Sequence, residues 1–108
     1  MAIPDKRHSF DVARPITPFE HLKKDYTEGP AWSKKQHFQE WVRLVEKFTN
    51  TIKVERRVTR LMGQDYSIHF HVWTQTEMIE LMLNLKKRLD FEIEFIYCAN
   101  EVIFVLRK

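Results

Sequence analysis

The chain has 108 residues, and hydrophobic residues make up 44% and charged residues 31% of it. These are ordinary values for one globular domain. It contains only two glycines, against the roughly eight that average usage would give. That count excludes a P-loop, a dinucleotide fingerprint and any other glycine-rich phosphate cradle. The net charge is +3, but basic residues are interleaved with acidic ones and form no long run, so a nucleic-acid reading is set aside in favour of a mixed, solvated surface.

Residues 1–17 read as a short apolar opening, Met1 to Ile3, followed by a polar segment with the cluster Asp5-Lys6-Arg7-His8. Thr17-Pro18-Phe19-Glu20 has the form of a capping box with proline at the first helical position, and predicts a helix with Phe19, Leu22 and Tyr26 as its apolar stripe. Gly29-Pro30 stops it. A second helix is expected from Ser33, with Ser33 to Gln36 as its capping box and Phe38, Trp41, Val42, Val45 and Phe48 on one face. A third, at about 52–62, would bury Val54, Val58, Leu61 and Met62 before Gly63.

The period then changes. In Asp65 to Val72, apolar Tyr66, Ile68, Phe70 and Val72 alternate with Asp65, Ser67, His69 and His71, which predicts a strand or an extended segment. Thr74 to Glu77 is a third capping box and opens a helix at about 75–89, facing the core with Met78, Leu81, Met82, Leu85 and Leu89. Phe91, Ile93, Phe95 and Tyr97 alternate along a strand, Ala99-Asn100-Glu101 turns, and Val102 to Arg107 is apolar enough for an interior strand. The last two segments are expected to pair as an antiparallel hairpin. No repeat, low-complexity tract or interior boundary divides residues 1–108, which read as a single domain.

Cys98 is the only cysteine, which excludes an intrachain disulfide and a thiolate metal cluster. On a strand beside Tyr97, without a basic neighbour, it is expected to be inert. No stretch reaches the length of a membrane helix and the N-terminus has no signal-peptide core, which favours the cytoplasm.

The chemistry falls on the histidines. His69 and His71 would share one face of the expected strand. Two such imidazoles can ligate a metal if Asp5, Asp11, His21 or Asp25 adds a third donor, but the motif is short and ordinary polar-face bonding is the plainer reading, so no metal site is assigned. One of the two can instead serve as a general base. Asp5, Lys6 and Arg7 follow the apolar opening and, with His21, are the candidate substrate contacts. Of the tryptophans that could stack a ligand, Trp41 reads as core, whereas Trp73 just precedes a helix cap.

Ala2 to Arg7, Phe10-Asp11, Arg14-Pro15, Thr17-Pro18, His21-Leu22, Asp25-Tyr26, Gly29-Pro30, Asp65 to Thr74 and Val102 to Lys108 together resemble the C-terminal half of bacterial class I S-adenosylmethionine-dependent methyltransferases. The resemblance implies an α/β, Rossmann-like parent fold whose glycine-rich cofactor half is absent here. As an isolated chain it would be α+β, with about four helices and a short sheet ending in an antiparallel hairpin. S-adenosylmethionine would serve the intact enzyme, and this chain alone would bind no cofactor and be inactive. It would be a truncated reading frame, a deliberately cut piece or a separate half-protein. The implied function is the substrate side of methyl transfer, with His69 or His71 as base and Asp5, Lys6, Arg7 and His21 toward the substrate. An open sheet edge would invite self-association or a missing N-terminal half. The rival expectation is a small non-enzymatic interaction module.

Overall fold

The computed structural model describes residues 1–108. The chain is α+β: four helices and one three-stranded antiparallel sheet that ends in a hairpin. No helix is long and apolar enough to cross a membrane. The residues fall into two units, one of Met1–Val12 with Val72–Lys108 and one of Ala13–His71.

The second unit is helical. Its elements are α1 (Phe19–Glu28), α2 (Ala31–Leu44) and α3 (Thr51–Gly63). α1 starts at Phe19 with Pro18 at the cap position, one residue later than the expected Thr17 cap. Gly29 ends α1 at φ 82°, a conformation that glycine adopts without strain. Pro30 already has helical dihedrals, so α2 starts at Ala31 rather than Ser33 and Ser33 becomes an interior residue. α2 stops at Leu44, where Lys47 is left-handed (φ 63°) and the Phe48 N–H returns to the Val42 carbonyl at 3.1 Å. The Asn50 side chain caps α3 by accepting from the Lys53 N–H at 3.1 Å.

The apolar core of this unit is Phe38, Trp41, Val42, Val54, Val58, Leu61 and Ile68, with Val45, Phe48 and Met62 packed against it. Ile68 apart, these are the residues expected of the α2 and α3 stripes. α1 contributes no fully buried residue, and Tyr26 of its expected stripe is 92% exposed.

Residues 65–72 do not form the expected strand. No other strand lies in this unit to pair with them. Instead Arg14, fully buried, donates to the carbonyls of His69 and Phe70 and forms an ion pair with Glu40 at 2.8 Å. A guanidinium fork therefore satisfies part of the backbone that a ladder would have paired. The alternation survives in part: Ile68 is buried, while Tyr66 and Phe70 remain exposed.

The other unit contains β1 (Ala2–Pro4), a short 3-10 turn at Lys6–His8, α4 (Gln75–Lys86), β2 (Glu92–Cys98) and β3 (Glu101–Arg107). The strand order is β1-β3-β2, so the apolar β3 is the interior strand, as its sequence suggests. Met78, Met82, Val102 and Phe104 form the core, flanked by Ile3, Trp73, Ile79, Leu85, Phe91 and Ile93. Thr74 and Glu77 form the expected capping box of α4, with the Thr74 N–H donating to the Glu77 carboxylate at 3.1 Å. α4 ends at Lys86, which leaves Leu89 outside it and exposed. The register of the hairpin shifts between Ile93 and Phe95. This bulge breaks the period-two pattern, and Phe95 and Tyr97 are exposed while Ile93 packs on the core. β2 forms an open edge of the sheet.

A histidine–carboxylate cluster as candidate functional site

Three imidazoles converge within residues 13–71. His21 lies on α1, His37 on α2, and His71 on the segment after α3; one ring nitrogen from each lies within 4.8 Å of those from the other two. His37 Nε2 and His21 Nε2 are 3.1 Å apart. Asp25, one turn beyond His21 on the same face of α1, places Oδ2 2.7 Å from His71 Nε2 and 3.5 Å from His21 Nε2. The other carboxylate oxygen of Asp25 accepts from the Ser33 hydroxyl at 3.5 Å.

Local structure explains each position. Ser33 and His37 are separated by one helical turn on the buried side of α2, beside Phe38 and Trp41. The early start of α2 after Pro30 is what brings Ser33 onto that face. Arg14 holds the backbone immediately before His71 through the His69 and Phe70 carbonyls. Trp32 covers His21, with ring centroids 4.7 Å apart, and the Lys24 ammonium stands 4.1 Å from the Trp32 ring centroid. Phe70 meets His37 edge-on at 5.9 Å.

His37 is the most withdrawn of the three, at 7% exposure. Burial pushes its pKa down to about 4, and the positive charges that His21, His71 and Arg14 can carry push the same way; Asp25 opposes them. His37 is therefore neutral at pH 7. Its Nδ1 is buried with no hydrogen-bond partner. Two rings on one carboxylate, with a third ring against the first, thus have more hydrogen-bonding capacity than the protein satisfies.

Of the sequence-predicted site residues, the structure brings together His21 and His71. His69 lies outside the cluster, with its side chain exposed. The expectation that His69 and His71 share a strand face is corrected, because no strand forms there. Asp5, Lys6 and Arg7 belong to the other unit. There Asp5 is fully buried and accepts from the Arg7 N–H at 2.9 Å, the Arg7 guanidinium at 2.6 Å and the Gln75 N–H at 3.2 Å. The Arg7 guanidinium, foremost, holds the Asp5 carboxyl down at about 2. Lys6 donates its backbone N–H to the Trp73 carbonyl at 2.8 Å. These contacts lock a turn.

Sequence reasoning passed over His37. The signal was present as two i,i+4 pairs, His21 with Asp25 and Ser33 with His37, on helices joined by a single Gly-Pro turn. No known protein family matches the chain, and neither the curated proteins nor the solved structures contain a match to it.

Proposed function

We propose that the chain is the acceptor side of a class I S-adenosylmethionine-dependent methyltransferase-like protein, with the methyl acceptor held at the cluster of His21, His37, His71 and Asp25. The resemblance in sequence supports the class. The observation that supports the site is that His21 and His71, distant in the chain, meet at the Asp25 carboxylate. An oxygen or nitrogen acceptor must lose its proton as the methyl group arrives, and an imidazole oriented by a carboxylate is suited to receive it. In this reading His71 carries that role, and His69 does not share it. Trp32 offers a flat apolar wall beside His21.

Two observations test the proposal. Calorimetry of the purified chain with S-adenosylmethionine is expected to show no binding, and micromolar binding would contradict it. The reading frame upstream of Met1 is the second: an in-frame glycine-rich turn there would support the proposal and mark the chain as the cut half of such an enzyme, and an in-frame stop would leave only the separate half-protein. A second reading, an interaction module, is favoured by the open β2 edge with Phe95 and Tyr97 exposed. Analytical ultracentrifugation separates the two: a dimer that dissociates when Tyr97 is replaced by Lys supports the module, and a monomer with a cooperative melt removes self-association through that edge.

A further inference from the structure

We propose that His21, His37 and His71, with Asp25, form a binding site for one divalent transition-metal ion, zinc above all, and that the ion fastens α1 to the rest of residues 13–71. The inference stands on geometry and does not rest on the methyl-transfer reading; the two are alternatives at His71, whose Nε2 cannot take a proton while it holds an ion.

Donors about 2.0–2.1 Å from a tetrahedral zinc ion stand roughly 3.3 Å from one another. The His21–His37 nitrogens are 3.1 Å apart, His21 to Asp25 is 3.5 Å, and His71 to Asp25 is 2.7 Å. These separations bracket the edge of such a tetrahedron. The remaining histidine spacings reach at most 4.8 Å, a gap that imidazole rotation can close. Neutral imidazole with one carboxylate suits zinc, copper or nickel, whereas calcium and magnesium require more oxygen donors. Ser33 on the second oxygen of Asp25 would hold that carboxylate with one oxygen toward the ion.

The fold supplies the reason for an ion at this place. The apolar core of this unit draws on α2, α3 and Ile68 and takes nothing fully buried from α1. Contacts that tie α1 to the rest of the unit run through this cluster: His21 with His37, His71 and Trp32, and Asp25 with Ser33 and His71. Imidazole contacts alone are poor fasteners here, because His21 and His71 share one carboxylate as acceptor and His37 reaches only the His21 ring nitrogen. An ion replaces these contacts with bonds to all three. A unit of this size is small enough for a metal staple to matter.

The experiment is calorimetric titration of the tag-free, chelator-stripped chain with zinc chloride. The expected result is one zinc per chain at micromolar or tighter affinity. His37→Ala and His71→Ala are expected to weaken binding by roughly tenfold or more, while His69→Ala and His8→Ala bind as the wild type does. No binding at micromolar zinc, or equal binding by His37→Ala, would overturn the proposal. If a variant fails to fold, imidazole nitrogen resonances of the wild-type chain decide. Zinc is expected to shift His21, His37 and His71 and leave His8 and His69 in place; shifts confined to His8 and His69 would overturn the site. Zinc binding without methyl transfer leaves this inference standing, and methyl transfer without zinc binding removes it.

Discussion

Asp5 in the sheet unit and Asp25 in the helical unit are two carboxylates largely withdrawn from water, and they are treated in opposite ways. Asp5, in the sheet unit, meets donors from Arg7 and Gln75 within a single turn and is fully satisfied. Asp25, in the helical unit, is shared among His21, His71 and Ser33, with a third imidazole, His37, in contact with His21. A satisfied buried carboxylate rigidifies what surrounds it, whereas an over-subscribed one marks a place where another donor-hungry group fits. By this contrast, Asp5-Lys6-Arg7 is a structural lock and the histidine cluster is the site.

The contrast can be broken most forcefully at Arg14, which holds the segment leading to His71. Replacing Arg14 with Ala leaves Glu40 and two carbonyls without their guanidinium. Urea unfolding is expected to show a loss of about 3 kcal/mol. A loss below about 1 kcal/mol would show that the segment is held by something else.

Next in size is Asp5. Its carboxyl titrates at about 2 in the folded chain against 3.8 unfolded, so the stability it supplies is complete above 3.8 and is lost as pH falls toward 2. Asp5→Asn is expected to cost about 2 kcal/mol at pH 6, and the gap from wild type should close below pH 4. A gap that persists at low pH would mean that the carboxylate charge is not what locks the turn. Glu77→Ala, which removes half of the α4 capping box, should cost about 1 kcal/mol by thermal unfolding.

The smallest expected effect separates the two carboxylates most sharply. His37→Leu removes a ring whose Nδ1 has no partner and replaces it with an apolar side chain of similar size. Without metal, stability should stay within about 1 kcal/mol of wild type. A much larger loss would make His37 a structural residue like Asp5.

Much of the fold was legible in the sequence, because helical stripes and an apolar interior strand follow directly from which side chains must leave water. The stripes of α2, α3 and α4 and the central place of β3 are of this kind. The misreadings have local causes. Pro30 advanced the start of α2, the bulge at Glu94 turned Phe95 outward, and Arg14 supplied to residues 69–70 the bonds that a neighbouring strand would have supplied. The last of these also hid the site. Alternation placed His69 beside His71, but the segment has no strand geometry, and His71 instead meets two helices. Spacing on each helix held half of the answer. How the helices pair depends on long-range packing that no single stretch of sequence displays.

The central claim is that the polar cluster, rather than apolar burial, fastens α1, and that zinc completes it. Amide hydrogen exchange of the full chain with and without zinc tests this most directly. The account predicts that the amides of Phe19–Glu28 exchange fast without zinc and slow markedly with it, while those of α4 are unchanged. Equal protection of α1 in both conditions would contradict it.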